Sequence, residues 1–548
     1  MAALLGLPAV EEHNGLNIKN MTLNNAYMVM NTLVDNVGVY VLRDDCFNCP
    51  FKIEQRPPVG VETSWLFDTS VRSTWRLMNR NQPDELATND RSGLLCEMRP
   101  TLGEFGVYRV RIGRCDAKEE LAPVNSYTPL LLLLTIFLAT YFIYGFIKFA
   151  KWKKRTSDIV IKSDCEKEVK SDSLQVLRGL LITLLIFVTS GGGGYPLFNA
   201  EWGGITTADV IFFLYTWTVG VYIPIFVENT RVRGGSKWCM IKEMFLRGII
   251  LLLLGTVIDS TVQPTARVSL WRPLQRLGLA YFITGTAYVL TVQKFVVKSQ
   301  KLISKMVENL VSLLWCWILS GFLLAIIVIL ISTFASFNCV ANIDLKDVSI
   351  DHSGILSNTT DTCNNGLTES ANIIFVANAK KIINVNNYTG FSAGLLGLMS
   401  TIMTTMIGLK SGHVYVRHAA AGARAQLWLC WAAVFLLSGG GFAWAQYPLK
   451  FNLQPISTIV LIPTLGMFLL ILTFSTTEML SLPKAFETTG LSSIAILTGH
   501  LLFSKAIPFV WNIELNSHVV YITQNLWTVA LWTVIGFVLV RKNIKIYL

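Results

Sequence analysis

The chain has 548 residues, of which 52% are hydrophobic and only 15% are charged. A soluble domain of this length carries more charge, so the composition excludes a soluble globular protein and indicates a protein that crosses a membrane several times. The net charge of +11 would favour nucleic acid as the partner of a soluble protein, but the basic residues cluster directly after apolar segments, which argues against that partner.

The first 125 residues have the pattern of a separate β-rich domain. The segments Gly38–Leu42 and Gly106–Ile112 alternate apolar and polar residues and contain β-branched and aromatic side chains. A period of two with these residue types is typical of strands. We therefore predict a small β-rich domain over residues 1–125, on the luminal side of the membrane.

Six of the ten cysteines and the predicted glycosylation sequons fall in the same two regions, the N-terminal domain and the loop 336–390. Even numbers of cysteines in a non-cytosolic region indicate disulfides, and four cysteines in one domain allow three pairings. Cys46 and Cys49 form a Cys-x-x-Cys motif. A structural disulfide is favoured over a redox or zinc function for this motif, because no second cysteine pair stands at the spacing of metal ligands. The predicted disulfide cysteines are Cys46, Cys49, Cys96, Cys115, Cys339 and Cys363, and the predicted glycosylation sites are Asn20, Asn358 and Asn387.

Eleven apolar segments approach the roughly 20 residues that cross a bilayer as a helix. Their centres lie near Phe137, Leu181, Tyr215, Leu251, Tyr281, Ala325, Ser400, Phe435, Pro463, Gly499 and Trp532. Basic residues follow the odd-numbered segments, which predicts a luminal N-terminus and a cytosolic C-terminus. We expect the first span and a cytosolic linker over residues 126–173 and a ten-span domain over residues 174–548.

The second and third segments are joined by an unusual loop. It opens with Arg178-Gly179 in the second segment, continues with Gly191-Gly192-Gly193-Gly194, and ends with Trp202-x-Gly204-Ile205-Thr206-x-Ala208-Asp209. The glycine run lacks the Gly-Lys-Ser/Thr of a phosphate-binding loop. We expect the glycines to permit positive φ in a close turn at the end of a helix.

These motifs continue toward the C-terminus as Leu274-Gln275-Arg276, Gly499-His500 and Thr523-Gln524-Asn525. In this order they resemble the heparan-α-glucosaminide N-acetyltransferase family, over most of the chain from Ser173 onward. The resemblance implies a lysosomal multi-pass enzyme that moves acetyl from cytosolic acetyl-CoA to a terminal glucosamine of heparan sulfate. It implies no metal. The lipid bilayer is an expected partner, and a homodimer is a candidate assembly.

The chain departs from the family where the chemistry is concentrated. The catalytic Asn and His of the family correspond to Thr189 and Asn199, and the loop between them is one residue shorter. Acyl transfer to an amine needs a group that accepts a proton near neutral pH, which Asn199 does not supply and Thr189 supplies poorly. Unless His500 or Glu201 replaces it, we expect impaired transfer. The alternative is a paralogue that binds CoA or a glycan, or that transports a small solute.

Polar residues within or at the ends of apolar segments are functional candidates because burying them in lipid is costly. Arg178 and Arg247, near predicted cytosolic ends, are candidates for the phosphates of CoA or for packing anchors. Near the luminal ends, the candidate substrate-binding residues are Asp209, Gln275, Arg276, Gln524 and Asn525. Asp209 and Arg276 are alternatively a structural ion pair. A lone histidine in a span, as at His500, is usually a packing residue, and we expect His413 and His418 to be solvated in a cytosolic loop.

Overall fold

The computed structural model describes residues 10–19, 21–44, 51–79, 91, 93–155, 171–199, 206–262, 273–292, 302–334, 391–445, 456–479, 486–504, 506–511 and 517–542. Several predicted features lie outside these residues: the three sequon residues Asn20, Asn358 and Asn387, the cysteines Cys46, Cys49, Cys339 and Cys363, the carboxylate Glu201, and the whole loop 336–390.

The N-terminal region is a set of ten strands: β1 Glu12–His13, β2 Leu16–Asn17, β3 Asn25–Met30, β4 Val37–Arg43, β5 Lys52–Gln55, β6 Thr63–Asp68, β7 Ser73–Asn79, β8 Leu94–Met98, β9 Val107–Arg111 and β10 Asp116–Leu121. One sheet has the order β10-β9-β3-β6, a second has the order β5-β4-β7-β8, and β1 pairs with β2. The strands pair antiparallel apart from β3 and β9, which are parallel. The predicted β-rich region is confirmed.

The two four-stranded sheets enclose an apolar core. Along β4, Val39 faces a cluster that includes Trp75 and Leu77, whereas Tyr40 packs on the other side of the strand. This alternation is the period of two that the sequence shows. Cys96 and Cys115 form a disulfide with a Cα separation of 5.6 Å, which confirms one disulfide and selects one of the pairings that the sequence left open.

The rest of the described chain is helical. The helices are α1 Thr128–Arg155, α2 Asp172–Thr189, α3 Pro196–Asn199, α4 Thr207–Val232, α5 Lys237–Val262, α6 Pro273–Thr291, α7 Leu302–Ser312, α8 Leu314–Phe334, α9 Phe391–Arg417, α10 Ala421–Ala445, α11 Ile456–Phe474, α12 Glu487–Leu491, α13 Ser493–Phe503 and α14 His518–Arg541. A turn of 3₁₀-helix over Gly192–Gly194 follows α2, and a π-helical turn over Ser475–Met479 follows α11.

Each predicted span centre lies within one of these helices. By length and hydropathy, five helices within the described ranges are able to cross a membrane, or six if α7 and α8, which meet at 73°, count as one broken span. The structure therefore confirms a multi-span helical protein, while the count of eleven stays a prediction.

Helices α4 and α9 pack with their backbones in close contact. A Cβ added to Gly408 would lie 2.1 Å from the carbonyl oxygen of Trp217, and one added to Gly412 would lie 2.1 Å from that of Val221. Small residues four positions apart permit this approach of two helices in a membrane protein. The contact fixes α4, whose next turns carry the aromatic residues of the site described below.

Candidate active site

The glycine run forms a tight turn directly after α2. The φ angles of Gly191, Gly192, Gly193 and Gly194 are 116°, 54°, 70° and 77°, all in the left-handed region. A Cβ on Gly193 would also lie 2.6 Å from Cγ1 of Ile522. Since residues with a side chain rarely adopt these angles, the structure accounts for the run in the way the sequence predicts.

Thr189, the last residue of α2, contacts a histidine from a distant helix. Its Oγ1 lies 2.9 Å from Nε2 of His500 on α13. His500 is 2% exposed and stands edge-on to Trp532, with ring centroids 6.3 Å apart. Two of the three predicted catalytic residues are therefore joined directly.

The hydrogen bonds of Thr189 determine the orientation of this pair. Its hydroxyl lies 2.7 Å from the carbonyl oxygen of Leu185. A carbonyl oxygen can only accept, so the hydroxyl of Thr189 donates its proton to Leu185. The oxygen lone pairs then accept the Nε2–H of His500, which places the proton of the neutral imidazole on Nε2. Nδ1 of His500 is buried and has no hydrogen-bond partner among the described residues, so its lone pair is available as a base.

The third predicted catalytic residue, Asn199, ends α3 close along the chain to the glycine turn, and its side chain lies outside the description. Asn525 of α14 is buried and lies against the turn. A Cβ on Gly191 would lie 3.7 Å from its Nδ2. The turn thus contacts α14 at Asn525.

The two predicted donor-binding arginines lie on α2 and α5 and stack over successive turns of one face of α4. The guanidinium carbon of Arg178 lies 4.9 Å from the ring centroid of Tyr222, and that of Arg247 lies 4.5 Å from the centroid of Phe226. Tyr222 and Phe226 are four residues apart on α4, so they share a face. Arg247 also forms an ion pair with Glu243. The structure brings the two arginines to the same end of the bundle.

Arg178 is the more unusual of the two arginines. It is 4% exposed, and its Nε and Nη2 are buried without a hydrogen-bond partner among the described residues. A buried guanidinium with unsatisfied donors is costly unless another group supplies acceptors.

The other predicted substrate residues separate into two groups, one at the starts of α4 and α6 and one on α14. Asp209 is exposed and forms a capping box with Thr206 at the start of α4, and its charge acts on Arg276 at the start of α6. Gln275 is buried beside Arg276. Gln524 instead donates from Nε2 to the carbonyl oxygen of Trp511 at 2.7 Å.

A network that the sequence did not single out fixes the turn to the N-terminal domain. His518, the first residue of α14, lies with Nδ1 2.8 Å from the carbonyl oxygen of Gly193 and Nε2 2.8 Å from Oε2 of Glu104. Its ring stacks on Tyr195 with centroids 4.2 Å apart. Asn24 donates from Nδ2 to the carbonyl oxygen of Gly194 at 2.8 Å. The sequence does not identify this pair, because Glu104 and His518 are 414 positions apart in the chain.

A second buried polar cluster corrects two sequence expectations. His413 lies inside α9 and is buried, with ring nitrogens 3.0 Å from the hydroxyl of Tyr288 and 2.9 Å from that of Ser312. His418, just after α9, is also buried. The prediction that both histidines are solvated is wrong, because α9 continues past the apolar segment and packs against α7. Lys410, one of the basic residues expected to follow the seventh apolar segment on the cytosolic side, is likewise buried in α9 over the ring of Trp317.

Comparison with known proteins supports the motif resemblance. No protein-family model matches the chain. A curated human protein, "Heparan-alpha-glucosaminide N-acetyltransferase", is 22% identical over 598 residues, which cover 93% of this chain and 85% of that protein. The mouse protein of the same name is 22% identical over 613 residues, which cover 98% of this chain and 90% of that protein. The chain is a distant relative of heparan-alpha-glucosaminide N-acetyltransferase.

This relationship extends along nearly the whole chain, including the N-terminal domain as well as the helices. It therefore supports an acetyltransferase-like membrane protein, for which acetyl-CoA is the donor that the relatives' name suggests. Within the described ranges, no group of three or more His, Cys, Asp or Glu residues is arranged to hold a metal ion.

Proposed function

We propose that the protein is a membrane acetyltransferase in which His500, held by Thr189, replaces the missing proton acceptor of the glycine-turn loop. The single observation that carries this proposal is the 2.9 Å contact between Thr189 Oγ1 and His500 Nε2. A base whose ring is oriented by a second side chain is the usual arrangement for general-base catalysis. The proposal keeps the acetyl-CoA donor of the relatives and assigns the base to another helix.

The transfer step is a direct acyl exchange. The amine nitrogen of the acceptor attacks the carbonyl carbon of the acetyl thioester, a C–N bond forms, the C–S bond breaks, and the CoA thiolate leaves. The proton lost by the amine moves to Nδ1 of His500, because Nε2 already donates to Thr189. General-base assistance of this kind contributes about 10² to 10⁴ in rate.

Arg178 and Arg247 are proposed to bind the phosphates of CoA. The unsatisfied donors of Arg178 would be satisfied by phosphate oxygens, which accept charge-assisted hydrogen bonds from arginine. Arg178 and Thr189 are eleven residues apart on α2, which corresponds to roughly 16 Å at the rise of an α-helix. An extended pantetheine arm, with its phosphates at one end and its thioester at the other, suits a site with this separation.

The acceptor is proposed to be the amine of a terminal glucosamine, as in heparan sulfate, in the lumen of a lysosome or related endomembrane compartment. The relatives carry this substrate in their name. Asn525 and Asn199 lie on α14 and α3, the two helices beside the glycine turn. The sugar is proposed to bind between the ends of α14, α4 and α6, where it would contact Gln524, Asp209, Gln275 and Arg276. Under the predicted topology, this end of the bundle is luminal.

A second candidate function is a noncatalytic protein that binds CoA or a glycan, or that transports a small polar solute. The observation that favours it is the substitution at Asn199, which removes a titratable group, together with the deep burial of His500. The two functions differ in one measurable respect, because only the enzyme transfers acetyl at a rate that depends on His500.

The test uses full-length protein purified in detergent, with radiolabelled acetyl-CoA and glucosamine. The proposed enzyme forms N-acetylglucosamine, and His500→Gln lowers this rate about 10² to 10⁴ fold with little change in affinity for CoA. His13→Gln, which changes a histidine of the β1–β2 ribbon, is the matched control and should behave as wild type. Donor binding without measurable transfer by wild-type protein would instead support the noncatalytic candidate.

A further inference from the structure

The N-terminal domain meets the glycine turn through a buried pair, Glu104 and His518. Both residues are almost fully buried. Oε1 of Glu104 accepts from the amide of Asn24 at 2.8 Å, and Oε2 accepts from the hydroxyl of Ser126 as well as facing Nε2 of His518. Glu104 therefore links two segments of the N-terminal domain to α14.

Counting donors shows how many protons this arrangement needs. One ring nitrogen of His518 faces a carbonyl oxygen, which only accepts, and the other faces a carboxylate oxygen. A neutral imidazole has one N–H and can serve only one of these acceptors, so its other nitrogen would oppose an oxygen lone pair at 2.8 Å. The closed contact consequently holds one further proton between His518 and Glu104, whichever of the two carries it.

We propose that Glu104 and His518 form a latch that positions the glycine turn and closes by taking up one proton. The latch holds the N-terminal domain against Gly193 in mildly acidic solution and releases the turn as the pH rises. It goes beyond the proposed function, because it regulates the shape of the turn whether or not the protein transfers acetyl.

The sign of the pH dependence follows from proton counts. When the latch is open near neutral pH, His518 is neutral and Glu104 is ionised, which is one proton fewer than in the closed state. Closing is therefore favoured by acid, by up to about tenfold per pH unit above the ordinary histidine value of about 6.5. Below about 4.3, the ordinary glutamate value, the open state carries one proton more than the closed state and the preference reverses.

The other groups around the pair do not change this count. Among the described residues, the titratable groups that face His518 are Glu104 and Tyr195, with Tyr127 stacked behind Tyr195. Burial, and next the charge of Glu104, raise the pKa of Tyr195, so its phenol stays neutral. Burial alone raises the pKa of Glu104, but the hydrogen bonds from His518, Ser126 and Asn24 outweigh it and lower that pKa.

Hydrogen exchange of the full-length protein tests the latch without substrate. The amides of Gly194 and Tyr195 are bonded within the turn and report its order. After correction for intrinsic exchange, we expect wild-type protection to be up to about tenfold greater near pH 5.5 than near pH 7.5. Glu104→Gln supplies an N–H to neutral His518 and needs no added proton, so it should keep the protection near pH 7.5. Its open state still protonates His518 below about 6.5, so protection should be no greater near pH 5.5 than near pH 7.5.

Two further variants complete the test. His518→Phe preserves stacking on Tyr195 but has no donors, and we expect it to lose protection at both pH values. Glu119→Gln, at an exposed position on β10, is the matched control and should retain the wild-type pH dependence. Equal wild-type protection at the two pH values, or an unchanged pH dependence in Glu104→Gln, would overturn the latch.

Discussion

Thr189 Oγ1 and His500 Nε2 lie 2.9 Å apart although 311 positions separate the two residues in the chain. The contact places an imidazole from α13 beside the glycine turn. The sequence resemblance implies an asparagine at the position of Thr189. A threonine suits this arrangement because its hydroxyl donates to its own helix and still accepts from the histidine. The substitution at position 189 is thereby linked to the orientation of His500.

The first prediction concerns the hydroxyl of Thr189. Thr189→Val preserves the shape of the side chain but removes the acceptor for Nε2–H, so His500 loses the contact that fixes its tautomer. We expect the transfer rate to fall about 10 to 100 fold, as for loss of a residue that orients a catalytic group, with unchanged affinity for acetyl-CoA. Steady-state kinetics of purified protein measure both quantities.

Two variants of α2 serve as controls. Thr189→Ser keeps the hydroxyl and should retain most of the rate. Thr183→Val removes a hydroxyl that bonds only to carbonyl oxygens of its own helix and should leave the rate unchanged. If Thr183→Val and Thr189→Val lower the rate equally, the effect belongs to helix packing and Thr189 has no special role.

The second prediction concerns donor binding. Arg178→Ala removes a guanidinium with buried, unsatisfied donors, and we expect it to weaken CoA binding by about 1.5 to 3 kcal/mol, the value of a hydrogen bond to a charged group. Isothermal titration calorimetry with CoA measures the change. Arg231→Ala, at the exposed end of α4, is the control. Unchanged CoA affinity in Arg178→Ala would assign this arginine to packing alone.

The third prediction concerns the glycine turn. Gly193→Ala combines a left-handed φ with a close contact to Ile522, so we expect a loss of about 1 to 3 kcal/mol in the free energy of unfolding. Gly15→Ala has the same kind of φ but open space around it, which isolates the backbone strain. Gly113→Ala has neither feature. In thermal unfolding in detergent, the midpoint should fall most for Gly193→Ala, less for Gly15→Ala and least for Gly113→Ala. Equal midpoints for the three variants would contradict the close packing of the turn.

The fourth prediction concerns the N-terminal domain. The bond between Cys96 and Cys115 closes a loop of 19 residues, and its removal should cost roughly 2 to 4 kcal/mol of stability. Proteolysis of the full-length protein should then cleave the domain of Cys96→Ser faster than that of wild type. Cys239→Ser, which changes an exposed free cysteine, should be cleaved at the wild-type rate. Equal cleavage of all three proteins would show that the disulfide is not needed for the stability of the domain.

Local features of this molecule could be predicted from the sequence, because each leaves a pattern in neighbouring residues. The strands around Val39 follow from alternation, the helices follow from apolar length, and the turn at Gly193 follows from four consecutive glycines. The contacts of Thr189 with His500 and of Glu104 with His518 leave no such pattern, because they depend on how distant elements pack. The error at His413 has a similar cause, since α9 extends beyond its apolar segment and is covered by α7.

Chemical rescue tests whether His500 accepts the amine proton. In His500→Ala, the space left by the ring should admit imidazole, which replaces the lost base. We predict that transfer of acetyl from acetyl-CoA to glucosamine falls at least about a hundredfold in this variant, and that added imidazole restores part of the rate without stimulating wild type. A His500→Ala protein that transfers acetyl at the wild-type rate without imidazole would show that His500 is not the base.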